Sequence, residues 1–222
     1  MIIYPFTSFG WYRQWEQSRN VRLVAKGTGE QITIEQARSH LRLDTYGSPP
    51  SHPDDAMITD VYLPIARAMC EVISGRSFIP QTYEAVFSGF PGYYQQQRLK
   101  LGVGPVRGIE SVTYQEGGQT MTMDAAGYVL DPTDDSLVPA YGTTWPTVCA
   151  PSTMRVRFSA GYDVAGASPY EFIMPAQHLW AVYLALGHVY ENRENTTSLN
   201  LTAIPMGINA MLLPDSLNNG FA

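Results

Sequence analysis

The chain has 222 residues, enough for a hydrophobic core that needs no disulfide or metal to support it. Only 15% of the residues are charged, against about 25% in an average soluble domain, and aromatic residues make up 12%. The net charge is −6, and residues 51–222 hold 16 acidic against eight basic side chains, which disfavours tight binding of nucleic acid. We find no secretory signal and no run of about 18 apolar residues, so no membrane span is expected.

Residues 1–30 show no sustained period and are predicted to form an N-terminal arm, in which Trp11 and Trp15 lie among arginines. The rest of the chain is expected to form a single domain over residues 31–195, followed by a C-terminal tail over residues 196–222.

Three segments of the domain have helical patterns. Thr33, followed three residues later by Gln36, makes a capping box that predicts a short helix near residues 33–43. A second helix is predicted near residues 54–74, capped by Asp54 or Asp55 and ended by Gly75. Pro64 should kink it. Its apolar stripe consists of Ile58, Val61, Ile65, Ala68 and Val72. The longest helix is predicted near residues 175–194 and is apolar over much of its surface.

From about residue 81 to 161 the period of the sequence changes to two, in short runs separated by turn residues, with Gly117 and Gly118 at a hairpin. This pattern predicts an antiparallel β-subdomain inserted between helices. Residues 132–152 are predicted to be a long Pro-rich loop. The expected fold is therefore α+β: a small helical bundle with an inserted antiparallel β-subdomain.

The residues that bear chemistry form no recognisable catalytic, cofactor-binding or metal site. His178 and His188 are ten residues apart on one helix and point in different directions. His52, Asp54 and Asp55 fit a loop and helix cap, and the acidic turn holding Asp131, Asp134 and Asp135 lacks the spacing of a calcium loop. Cys70 and Cys149 are predicted to be buried free thiols. We therefore expect no enzymatic activity, no cofactor and no metal.

The order of several segments carries a resemblance. From Ile32 to Pro214, the chain resembles the head-tail connector family of tailed bacteriophages, whose members are adaptor or head-completion proteins. The segments, in order, are "ITIEQARSHLRLD", "ARAMCEVISGRSFIPQTYE", "FPG", "LKLGVGPVRGIESVTYQEGG", "WP", "MRVRFSAGY", "MPAQHLWAVYLALGHVYENRE" and "AIPMGINAMLLP".

This resemblance implies a structural protein of the virion, made in the cytoplasm of the bacterial host and placed at the head-tail junction. It implies a ring, dodecameric in the family, that docks under the portal protein, extends the DNA channel and joins the capsid to the next neck, stopper or tail protein. Double-stranded DNA would pass through its lumen. The β-subdomain would then be a rigid spacer, for which residues without chemistry suffice.

Two segments are expected to contact partners. The C-terminal segment is interrupted by Pro205, Gly207 and Pro214, so it is not expected to form one helix or to bury itself alone. By resemblance it should order on the portal or on a neighbouring subunit. Its predicted interface residues are Ile208, Met211, Leu212 and Leu213. Trp11 and Trp15 would provide a second anchor.

Two alternatives stay open. One is a small aromatic-rich binding module that recognises a glycan or peptide; such a module would be monomeric and would bind a small ligand. The other is a metal-dependent nuclease, which would need a convergent carboxylate cluster.

Overall fold

The computed structural model describes residues 20–91, 97–147, 153–164, 171–192 and 205–217. Most of the strands lie between the third and fourth helices, where the sequence predicts the β-subdomain. The predicted α+β class, with an antiparallel β-subdomain, is confirmed. No helix among these residues is long and apolar enough to span a membrane.

Among the described residues, five α-helices and one π-helical turn form the helical unit. The bounds are α1 (Ile34–Leu41), α2 (Asp55–Met57), the π-helical turn (Ile58–Tyr62), α3 (Leu63–Ser74), α4 (Ala176–Glu191) and α5 (Pro205–Leu212). The capping box predicted at α1 is present: the Gln36 amide donates to the Thr33 hydroxyl, and the Thr33 amide donates to the Gln36 side chain. Gly75 ends α3 in a left-handed conformation, as predicted, with φ 69°.

The second predicted helix is not one regular α-helix, because the π-helical turn Ile58–Tyr62 divides it. Pro64 lies in the first turn of α3, and its position explains where the π-helical turn occurs. Proline cannot donate a backbone hydrogen bond, and its ring clashes with the carbonyl four residues earlier, at Asp60. Widening the helix just before Pro64 relieves that clash.

The π-helical turn also changes which side of α3 faces the core. Each residue rotates an α-helix by about 100°, so one extra residue in a turn rotates the rest of the helix by about that angle. In the predicted stripe, Ile58 is buried, whereas Ile65, Ala68 and Val72 are exposed. The buried side of α3 consists of Leu63, Ala66, Arg67, Cys70 and Ser74.

In the part of the chain that the structure describes, eight strands form two antiparallel sheets. Their bounds are β1 (Asn20–Ala25), β2 (Gln81–Phe87), β3 (Leu99–Lys100), β4 (Val106–Glu116), β5 (Gln119–Thr122), β6 (Tyr128–Asp131), β7 (Ser136–Pro139) and β8 (Met154–Ala160). The larger sheet has the order β1-β2-β8-β4-β5, and the smaller one has the order β3-β7-β6. Strand β8 pairs with both β2 and β4, so the last strand of the subdomain lies at the centre of the larger sheet.

Two of the strands correct the prediction. Strand β1 lies within the predicted arm but pairs with β2, with one register shift between Leu23 and Ala25, so the arm cannot extend to residue 30. Strand β7 lies within the predicted long loop and pairs with β3 and β6.

Two hydrophobic cores support these elements. The helical core joins α3, α4 and α5 to Phe78 and Tyr162, which lie where the chain enters and leaves the larger sheet. The β core lies between the sheets around Val156, Phe158 and Leu137. Cys70 is a free thiol in the helical core, and its burial raises its pKa to about 12. Cys149 lies outside the described residues.

Two glycines offer a matched test of this backbone. Gly161 has φ 129°, and a Cβ there would come within 2.0 Å of the Ile79 carbonyl oxygen. Gly161→Ala should therefore lower the free energy of unfolding by more than about 1 kcal/mol. Gly187→Ala should raise it by up to about 1 kcal/mol, because Gly187 lies inside α4 with 3.7 Å to its nearest neighbour. Urea unfolding measures both changes, and a neutral Gly161→Ala would contradict this backbone.

Candidate interaction surfaces

The exposed side of α3 carries an unbroken apolar stripe. Its members are spaced at i, i+3, i+4 and i+7 and therefore share one side of the helix. They are Ile65, Ala68, Met69 and Val72, which we call the α3 stripe. Ile65 is 43% exposed, Met69 is 39% exposed and Val72 is 78% exposed. A contiguous apolar surface of this kind indicates an interaction site, whereas single exposed apolar residues are ordinary.

A buried ionic group holds α3 in place. The guanidinium of Arg67, whose side chain is 5% exposed, donates to Glu30 at 2.9 Å and to Glu71 at 3.0 Å. Glu71 also accepts a hydrogen bond from the Phe78 amide at 2.7 Å. We call Arg67, Glu30 and Glu71 the Arg67 cluster. It ties the core side of α3 to the segment before α1 and to the entry of β2, so the α3 stripe points outward from a fixed helix.

The electrostatics of this group reflect its burial. Burial raises the pKa of Glu71, and the charge of Arg67 and the Phe78 amide only partly offset that effect. Burial alone would lower the pKa of Arg67, but the hydrogen bond to Glu30 and the charge of Glu71 outweigh it and raise the pKa. Arg67 therefore stays charged and is the cation that opposes the effect of burial on the pKa of Glu71.

The exposed side of α4 is centred on an aromatic residue. Trp180 is 46% exposed, and its ring contacts those of His40, at a centroid distance of 5.7 Å, and Tyr183, at 6.0 Å. On the same side of α4 lie the exposed polar residues Gln177, about one turn before Trp180, and His188 and Glu191, about two and three turns after it. We call these four residues of α4 the Trp180 face. A partly exposed, well-supported tryptophan is typical of the centre of a protein interface.

The C-terminal segment is packed against its own chain, contrary to the expectation from sequence. Helix α5 lies between Pro205 and Pro214, so the prolines bound a helix instead of preventing it. Gly207 lies inside α5, and a Cβ added to it would lie 3.7 Å from Leu184 Cδ1. After α5, Arg76 binds the Asp215 carboxylate at 2.8 Å, and the Leu217 amide donates to the Ser74 carbonyl at 2.9 Å.

The predicted interface residues therefore have different environments. Leu212 is fully buried in the helical core, so it is not available to a partner in this conformation. Ile208 and Met211 are partly buried and pack against the same core, and Leu213 is 41% exposed. Trp11 and Trp15 lie outside the described residues.

Sequence reasoning missed the outward direction of the α3 stripe. Ile65, Ala68 and Val72 belong to the predicted apolar stripe and Met69 does not, and nothing in the pattern of apolar residues locates a π-helical turn. The position of Pro64, ten residues after the predicted start of the helix at residue 54, was the available signal.

The carboxylates considered as metal ligands have hydrogen-bond partners, which are arginines for Asp55, Asp131 and Asp134. Arg38 donates to both oxygens of Asp55 at 2.7 Å, and the Asp54 carboxylate accepts from the Tyr190 hydroxyl. Arg98 binds Asp131 at 2.7 Å and Asp134 at 3.1 Å. Among the described residues, no group of three or more histidine, cysteine or acidic side chains could hold a metal ion.

His178 lies in the helical core, whereas His188 is exposed. The His178 ring stacks on Phe78 at a centroid distance of 5.4 Å, and the Asp215 carboxylate lies 3.6 Å from Nε2. Burial lowers the pKa of His178; Arg76 lowers it further, and Asp215 opposes both.

This lowered pKa predicts a loss of stability in mild acid. The folded state disfavours the protonated ring, so stability should fall as the pH drops below about 6.5, where an unfolded histidine takes up its proton. Between about pH 7.5 and about pH 5.5, the wild type should lose more free energy of unfolding than His178→Leu does. Urea unfolding at both pH values measures the difference; equal losses would contradict this role of His178.

A shallow depression lies beside the Arg67 cluster, lined in part by Ile32, Leu63 and Val182, and it is too small to hold a water molecule. Typical small-molecule sites have volumes of about 300 to 1,000 Å³. The depression therefore gives no support to a ligand-binding module.

Comparison with known proteins gives one consistent result. No family model and no curated protein matches the chain. Solved structures do match it. A chain from the neck of an empty gene transfer agent particle, solved with C6 symmetry, is 22% identical; the match covers 89% of this chain and 95% of that chain with a TM-score of 0.67.

Two further matches come from related particles. A chain of the virion of a native gene transfer agent is 21% identical over 88% of this chain and 94% of that chain, with a TM-score of 0.67. A chain of a native gene transfer agent neck, solved with C12 symmetry, is 20% identical over 89% of this chain and 94% of that chain, with a TM-score of 0.63. The chain therefore has the fold of a virion neck component, and the resemblance seen in the sequence is confirmed at the level of the fold.

Proposed function

We propose that this chain is a structural adaptor of a tailed phage or phage-like particle. Twelve copies form a ring under the portal protein, extend the DNA channel and join the capsid to the next neck, stopper or tail protein. The observation that carries this proposal is the likeness in fold, over nearly the whole chain, to neck components whose assemblies were solved with C6 and C12 symmetry.

The surface of the molecule suits assembly into a ring. It has few charges, it presents the apolar α3 stripe, and its helices are held by a buried ionic group. The acidic balance of residues 51–222 suits a lumen through which DNA slides, because acidic side chains offer phosphate no counterions. The β-subdomain, with its own core, acts as a rigid spacer.

The proposal includes no catalysis. The carboxylates that a metal-dependent nuclease would need are engaged by Arg38 and Arg98 instead of converging on one point. Reproducible hydrolysis of DNA by the purified protein, lost when Asp54 and Asp55 are replaced, would contradict this part of the proposal.

The partners follow from the place in the particle. We propose that the ring lies at the head-tail junction of the virion, that each subunit is made in the cytoplasm of the bacterial host, and that double-stranded DNA crosses the lumen only transiently.

Sedimentation tests the proposal against a small-ligand module. Alone at micromolar concentration, the protein should be mainly monomeric, because weak contacts between copies need the portal as a template. Mixed with portal rings, it should sediment with them in a defined number of copies. A protein that stays monomeric with portal present and binds a glycan or peptide instead would contradict the adaptor role.

A further inference from the structure

We infer that the α3 stripe is one half of the contact between neighbouring copies of this chain, and that it packs on the Trp180 face of the next copy. This inference rests on the proposed ring and names the two surfaces that would build it.

Helix α3 carries apolar residues on two opposite sides. Its core side buries Leu63, Ala66 and Cys70, and its outer side consists of the four apolar residues of the α3 stripe. Where a helix carries apolar residues on two opposite sides, both sides are normally covered. In the described residues only the core side of α3 is covered, so the outer side fits a partner that is added on assembly.

The second step concerns the directions of the two surfaces. Helices α3 and α4 pack in one core through their buried sides, which include Ala66 and Cys70 on α3 and Ala181 and Ala185 on α4. On each helix the exposed residues lie on the side turned away from that contact. The α3 stripe and the Trp180 face therefore lie on opposite sides of the helix pair. A ring built head to tail needs two different surfaces placed in this way.

The third step concerns rigidity and chemistry. The α3 stripe is fixed from behind by the Arg67 cluster, and Trp180 is held by the rings of His40 and Tyr183. The Trp180 ring packed on the small and aliphatic side chains of the α3 stripe matches the centre of a protein interface. The polar residues of the Trp180 face match its rim.

The size of the surface agrees with assembly on a template. Stable pairwise interfaces bury about 800 Å² on each partner. The four side chains of the α3 stripe supply only part of that area, so two copies would dissociate in solution. A ring closed on a portal makes the same contact many times and holds each copy in place.

Two matched valines provide the test. Val72 in the α3 stripe is 78% exposed, and Val129 on β6 is 51% exposed. Val72→Glu and Val129→Glu introduce the same charge, and both proteins should keep the melting temperature of the wild type. The number of copies bound per portal ring is then measured as a function of concentration by native mass spectrometry.

We expect Val129→Glu to bind as the wild type does, cooperatively up to a full ring. Val72→Glu should still place single copies on the portal but should lose cooperativity, with half-saturation at a concentration at least tenfold higher. Binding of Val72→Glu that equals the wild type would overturn the inference. Complete loss of even single copies would also overturn it, because the stripe would then face the portal.

Disulfide trapping tests the second surface. Met69→Cys and Trp180→Cys are combined in a chain that also carries Cys149→Ser and are oxidised on the portal. Because the two positions lie on opposite sides of the helix pair, the expected product is a ladder of linked copies. The ladder should be absent from variants that carry only one of the two introduced cysteines. A full ring without linked copies would overturn the pairing and leave the proposed function intact. Absence of any ring from the wild type would overturn both.

Discussion

Replacing Arg67 with methionine is expected to lower the free energy of unfolding by about 3 to 5 kcal/mol. The methionine side chain fills much of the space of the arginine stem, so the loss comes mainly from charge. Without the guanidinium, Glu71 and Glu30 remain close together, with side chains only 16% and 18% exposed. Removing the cation leaves two largely buried carboxylates without their counterion, and the Phe78 amide only partly compensates the charge of Glu71. Urea unfolding at neutral pH measures the effect.

A matched control and the dependence on pH distinguish this explanation from lost packing. Arg155→Met removes an arginine that is 47% exposed and bound to Glu84, and it should cost about 1 kcal/mol or less. The pKa of Glu71 is already raised by burial and should rise further without Arg67. Its protonation would then relieve the unpaired charge, so the deficit of Arg67→Met should shrink as the pH is lowered. A deficit that is the same at neutral and mildly acidic pH would indicate lost packing instead.

Replacing Leu212 with alanine is expected to lower the free energy of unfolding by about 2 to 5 kcal/mol. Leu212 is fully buried where α5 meets the helical core, so its removal leaves a cavity. Leu213→Ala, at a position that is 41% exposed, should change the free energy by about 0.5 kcal/mol or less. Thermal or urea unfolding of the two variants gives the comparison.

The same reasoning changes the expectation for a truncated protein. From sequence alone, a chain ending after Asn195 should stay folded and should load poorly onto portals. Because α5, Asp215 and Leu217 all contact the helical unit, we now expect that truncation to destabilise the whole unit. If Leu212→Ala and the truncated chain are both as stable as the wild type, the segment is free in solution and the original expectation for a portal anchor regains support.

Elements specified by neighbouring residues were predictable from the sequence. Helix α1 follows from its capping box, and the β4-β5 hairpin follows from Gly117 and Gly118, whose φ angles of 57° and 81° are those of a tight hairpin turn. Both signals lie within a few residues of the structure that they specify.

Features that depend on distant contacts were not predictable. Strand β1 lies at the edge of its sheet with Leu23 and Val24 largely exposed, so its sequence lacks the alternation of a half-buried strand. Glu30 reaches Arg67 across 37 positions, and no local pattern indicates that pairing. The residues of the helical core that bury Leu212 are likewise far from it in the sequence. The candidate surfaces share this property, since a one-residue change of helical phase at Pro64 decides which side of α3 is exposed.

Electron microscopy of the protein mixed with portal rings of its own particle tests the central claim most directly. For a structural adaptor, we expect a single additional ring that is coaxial with the portal and has twelve copies and an open central channel. Portals that remain bare at saturating protein, or copies attached without a ring, would contradict the proposed adaptor role.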